Sequence, residues 1–129
     1  MRRKLFRWIS GAVLLGGAAS ALAHHSMAMF DFDKLVRYKG VVAKFDWANP
    51  HTYLYVDVEK DGLTVTLTGE SGSPLALEKR GWNSTMLKPG DRVTVEGNPS
   101  KAELNVFWIR KIITAGGKEF DAGSFPDNN

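Results

Sequence analysis

Three histidines are the only imidazoles in this 129-residue sequence, and they fall in two places: the pair His24 and His25, and His51 at the end of W-A-N-P-H, residues 47–51. Imidazole is a ligand for Cu, Zn and Ni, and the thioethers of Met27 and Met29, just after the pair, suit Cu(I). A cut after Ala23 would make His24 a new terminus, whose α-amine and ring can chelate one metal ion together. An α-amine has a pKa of about 8, so a metal can displace its proton at neutral pH. The candidate metal set is therefore His24, His25 and His51, with Met27 and Met29 as softer additions and copper as the cofactor it would suit. The plainer alternative is a turn in which the His51 ring bonds backbone while the paired histidines are solvated. Histidines without cysteine or carboxylate partners are a looser signature than a closed zinc motif.

A second constellation is aromatic. Tyr53 and Tyr55 lie on the strand face opposite Leu54 and Val56, and with Trp47 and Asn49 they form a candidate binding surface of the kind small barrels offer to sugars or single strands. Cross-strand aromatic packing accounts for the same residues without a ligand. Asp57 and Glu59 share that face and would repel phosphate, so nucleic acid is not an expected partner. Enzyme motifs are absent: there is no G-x-S-x-G, no nucleotide loop, no cysteine nucleophile and no carboxylate pair spaced for acid–base work. Ser26 beside His25 does not constitute a triad. No catalytic residue is therefore assigned.

The chain opens with Arg2, Arg3, Lys4 and Arg7, continues without charge from Trp8 to Leu22, and reaches Ala21-Leu22-Ala23. That is a secretory signal pattern, and the apolar run is shorter than the roughly 18–20 residues of a membrane span. Residues 1–23 are expected to be a signal peptide, the protein periplasmic or secreted, with no membrane span after cleavage. Four of the 17 Lys and Arg leave with that segment and none of the 14 Asp and Glu, so the remainder is 13 against 14. A nearly neutral domain has no global electrostatic attraction for nucleic acid or an anionic membrane. With no cysteine, it must be held by its core.

The elements that position these residues follow from alternation. Gly40 to Glu59 reads as one long strand, bent at Asn49-Pro50, with Val41, Ala43, Phe45 and Trp47 on one face before the bend and Thr52, Leu54, Val56 and Val58 after it. Lys60-Asp61-Gly62 predicts a hairpin turn into Leu63–Thr68. Ser73-Pro74 predicts a helix N-terminus, with helix to Arg80 and Gly81 as its stop. Trp82 is expected beneath the helix end, and Lys88-Pro89-Gly90-Asp91 is a turn. Arg92–Glu96 and Leu104–Thr114 are strands. The second of these has apolar residues in both phases, which calls for two covered faces or a bulge near Trp108. The predicted core is Phe45, Leu54, Val56, Leu67, Leu77, Val93, Val95 and Trp108.

This order predicts an all-β fold, a five-stranded OB-like Greek-key barrel with a short helix between its third and fourth strands. The expected division is an arm over 24–39, the barrel over 40–120 and a flexible tail over 121–129. The motifs H-H-S at 24–26, W-A-N-P-H at 47–51, S-P-L-A-L-E-K-R-G-W at 73–82 and L-K-P-G-D-R-V-T-V at 87–95 resemble a family of small exported bacterial proteins of unknown function. The resemblance implies a periplasmic or secreted OB-like domain and no established activity. It departs at Met27, where that family commonly has an aromatic residue. The expectation is an exported binding or accessory module whose partner is a protein or small ligand in the cell envelope. The alternatives are a copper-binding redox protein and a subunit or chaperone of an envelope complex.

Overall fold

The computed structural model describes residues 27–123. Among them, strands run over Val36–Asp46 (β1), Tyr53–Lys60 (β2), Leu63–Glu70 (β3), Arg92–Pro99 (β4), Val106–Thr114 (β5) and Glu119–Asp121 (β6), with one helix, Pro74–Glu78 (α1), between β3 and β4. The strand order is β3-β2-β1-β4-β5-β6, and parallel pairing of β3 with β5 closes the first five into a barrel. This is the OB-like arrangement that the order of elements predicts.

Gly40–Glu59 is not one bent strand. β1 and β2 are antiparallel partners, Val41 opposite Asp57 and Asp46 opposite Tyr53, and the W-A-N-P-H motif is the loop that joins them. The Asn49-Pro50 peptide bond in that loop is cis. The inward face of β1 also differs from expectation. Val42 is buried and Val41 is 39% exposed, because the register slips by one residue between Val42 and Lys44. A bulge at Ala43 lets Val36, Tyr38 and Val42 face inward on one side of it and Phe45 on the other.

The β2–β3 hairpin follows its turn chemistry. Asp61 and Gly62 both take positive φ, 52° and 79°, as a tight two-residue turn requires, and Lys60 pairs with Leu63. Ser73 caps α1 by accepting from the Ala76 N–H, and Pro74 begins the helix. The helix ends at Glu78, short of Arg80, and Gly81 takes the left-handed conformation with φ 85°. Trp82 is buried beside it, donating its indole N–H to the Asp121 carbonyl at 2.9 Å.

Leu54, Val56, Leu67, Leu77, Val93 and Val95 lie in the main core, and Phe45 packs against its margin. Trp108 does not join them. β5 meets both demands of its sequence: Phe107 and Ile109 point into the barrel, while Trp108 points outward and is buried under the N-terminal arm with Met27 and Phe30. Beyond Ile109 the pairing slips between Glu96 and Gly97, which returns Ile112 to the interior. Leu104, 91% exposed, precedes the strand. The arm is fastened by the Asp31 N–H to the Pro99 carbonyl at 2.8 Å and the Lys101 N–H to the Met29 carbonyl at 2.7 Å. At the other end, β6 pairs with β5 and the Ala122 N–H donates to the Arg110 carbonyl, so the first residues of the expected tail are docked on the sheet.

Candidate functional site

Pairing across three strands builds a row on the outside of the barrel. Tyr53 on β2 lies opposite Glu70 on β3, and Glu70 lies beside Trp108 on β5. Strand alternation gives these three side chains the same outward face. The ladder continues past β2 and β3 through the Thr52 N–H to the Gly72 carbonyl and the Ser71 N–H to the Thr52 carbonyl. Thr52 and Ser71 turn inward and are fully buried. Their neighbours His51 and Glu70 therefore turn outward together.

His51 Nδ1 is bonded to the Glu70 carboxylate. Both side chains are mostly covered, at 21% and 12% exposed, so this contact is sheltered from bulk water. The His51 ring also stands edge-on to Trp108, with centroids 6.0 Å apart and planes at 87°. The backbone-bonded turn histidine is thus replaced by a His–carboxylate pair braced by an indole. A carboxylate on Nδ1 fixes the tautomer of a neutral imidazole and leaves Nε2 unprotonated, free to accept a proton or bind a metal. Tyr53 completes the group. Burial chiefly, and then the negative charge of Glu70, raise its hydroxyl above the usual tyrosine range.

The arm reaches the same place. Met27 and Phe30 are buried with Trp108, and Met29 and Phe32 pack around them. The Phe30 and Trp108 rings lie 5.7 Å apart at 58°. Met27 thus shares a buried cluster with the indole that stands edge-on to His51. His24 and His25 lie outside the described residues. Among the described residues, no group of three His, Cys, Asp or Glu side chains is disposed to hold a metal ion.

The aromatic surface divides. Trp47 packs against the margin of the core, its ring 5.8 Å from that of Phe45, and so does not stand with the tyrosines. Asn49 is exposed in the hairpin loop. Tyr53 and Tyr55 do share the outer face, where Lys44 Nζ lies 5.5 Å over the Tyr55 ring and pairs with Asp46 at 2.7 Å. Asp57 and Glu59 farther along accept from Thr66 and Thr64.

Glu70 is not among the residues that the sequence marks as candidates, and Trp108, expected in the core, lies outside it at this corner. The sequence does hold a signal for Glu70: counting outward from the Asp61-Gly62 turn brings Tyr53 opposite Glu70, with His51 just beyond. Trp108 had no such signal, since its place depends on the parallel closure of β3 on β5.

No curated protein matches the sequence. Residues 12–105 match DUF6152, described as a family of unknown function.

Proposed function

The chain belongs to this family of unknown function, and from that premise we propose that it is an exported binding module holding a transition-metal ion, copper first, at the corner where the arm meets His51. The observation that carries the reading is the bond from His51 Nδ1 to Glu70. Metal-binding histidines commonly give their other nitrogen to a carboxylate, which orients the ring and raises its basicity. Glu70 holds the His51 ring by Nδ1, which would leave Nε2 to bind the ion.

The remaining ligands come from His24 and His25. Met27 belongs to the buried cluster of Phe30 and Trp108, and Trp108 stands edge-on to His51. His25 is two residues before Met27, a span of at most about 7 Å of extended chain. Cleavage after Ala23 supplies the α-amine of His24 as well as its ring.

The test is copper titration by calorimetry of protein beginning at His24. One copper should bind, and His51→Ala should bind at least about tenfold more weakly. Equal affinity in the two proteins would reduce the site to a terminal chelate and remove His51 from it. A second reading, a small-molecule or protein partner of the cell envelope docked on the outer face, is favoured by Tyr53, Tyr55 and Lys44 standing together. Co-purification of such a partner, lost in Tyr55→Ala but retained in His51→Ala, would support it over the metal reading.

A further inference from the structure

We propose that a groove on the β1–β4–β5 face is a second binding site, separate from the His51 corner, and that it takes a small organic carboxylate with an apolar body. The groove has a volume of about 290 Å³ and is lined by Lys39, Val41, Arg92, Thr94 and Ile113, with no acidic side chain among its lining residues. Lys39 lies opposite Thr94, Thr94 opposite Ile113, and Val41 opposite Arg92, so all five share the outward face in two adjoining rows. Lys39 and Arg92 are thus diagonal neighbours, about 7–8 Å apart at the backbone and within reach of one anion by their long side chains.

Charge decides the class of ligand. Nearby cations are already engaged: Arg37 with Glu96 at 3.0 Å, Lys88 with Asp91 at 3.2 Å and Lys111 with Glu119 at 3.3 Å. Among the described residues, neither Lys39 nor Arg92 has an ion pair or hydrogen bond from its side chain, and the Thr94 hydroxyl between them is likewise uncommitted. Asp57, opposite Val41, keeps its charge but lies outside the groove's lining and accepts from Thr66 on β3, on the far side of β2 from the groove. A guanidinium binds a carboxylate through two parallel hydrogen bonds, while an ammonium adds a point charge. Beside that pair, the side chains of Val41 and Ile113 offer an apolar surface. A cavity of about 150 Å³ accommodates benzene, so this groove has room for one ring together with its carboxylate.

The probe is benzoate, followed by amide chemical shifts of the isotope-labelled protein, with acetate and benzyl alcohol as the charge-only and ring-only controls. Benzoate should shift Lys39, Val41, Thr94 and Ile113 saturably and bind at least about tenfold more tightly than either control. The double variant Lys39→Gln/Arg92→Gln, two exposed changes whose folding is checked by its melting curve, should lose that preference. Val41→Ser should weaken benzoate and leave acetate unchanged. Benzyl alcohol or acetate binding as tightly as benzoate would overturn the proposal, as would unchanged benzoate affinity in the double variant or shifts that never saturate at these residues. His51→Ala should leave benzoate binding intact, which separates failure here from failure of the metal site.

Discussion

The indole of Trp108 meets the ring of His51 edge-on, with centroids 6.0 Å apart. The Phe30 ring packs on that indole in a buried cluster that includes Met27, so Trp108 physically connects the N-terminal arm to the hairpin loop. The loop carries the W-A-N-P-H motif, and closing β3 on β5 brings Trp108 beside it, with the arm from Met27 onward packed in the same cluster.

Removing Phe30 should release the arm. Its ring is almost completely buried against Trp108 and Phe32, and truncating a buried phenylalanine costs about 3–5 kcal/mol when the gap cannot collapse. Phe30→Ala should therefore unfold at lower urea concentration and show red-shifted tryptophan emission. A loss below about 1 kcal/mol would mean that the arm contributes little to the native state.

Val95 is fully buried at the centre of β4. Val95→Asp places an unpaired carboxylate in the core and should cost several kcal/mol, measured by urea denaturation. A loss of about 0.5 kcal/mol or less would put Val95 on the surface instead.

The Thr52 and Ser71 hydroxyls are buried and find no partner among the described residues. An unsatisfied buried hydroxyl costs about 1–3 kcal/mol, whereas an apolar group of the same shape does not. Thr52→Val should leave stability unchanged or raise it by about 1 kcal/mol. A clear loss would show that the hydroxyl is hydrogen-bonded, to a buried water in the simplest case.

Tyr53 gives the pH dependence its sign. Burial, then Glu70, raise its folded-state pKa above the unfolded value. The folded protein therefore holds the proton more tightly, so the contribution is complete below the unfolded value of about 10 and disappears as pH rises through the folded one. Denaturation curves from pH 8 to 11 should show stability falling at the alkaline end, and the fall should be smaller in Tyr53→Phe. Identical pH profiles would remove Tyr53 from the effect.

What the sequence made legible was local. Asp61-Gly62, Ser73-Pro74 and Gly81 each act within a few residues, and each sits where its chemistry predicts. The alternation of Leu54 and Val56 likewise needs no distant information, because it depends only on which face is inside. Gly40–Glu59 misled because both arms of a hairpin alternate as a single strand would, and nothing in Asn49-Pro50 states that the chain reverses. Val41 and Val42 are both apolar, so only the bulge at Ala43 decides which is buried. The site was half legible: His51 is conspicuous, but its partner Glu70 depends on register carried across the hairpin. Trp108 depends on a non-local strand closure.

Glu70 is the part of the metal proposal that can be tested without changing a ligand. Glu70→Gln keeps the shape of the side chain and removes the charge that orients His51. Copper affinity should fall by about 10- to 100-fold, as it does when such a supporting carboxylate is lost. Undiminished affinity would leave Glu70 a structural partner of His51 and nothing more.

The most direct measurement is electron paramagnetic resonance of Cu(II) bound to protein that begins at His24, with histidine ring nitrogens labelled with ¹⁵N. The wild type should show coupling from the imidazole of His51 in addition to the terminal nitrogens, and His51→Ala should lose one imidazole coupling while keeping the terminal ones. Identical spectra from the two proteins would contradict the assignment of the metal site to the corner where His51 meets Glu70 and Trp108.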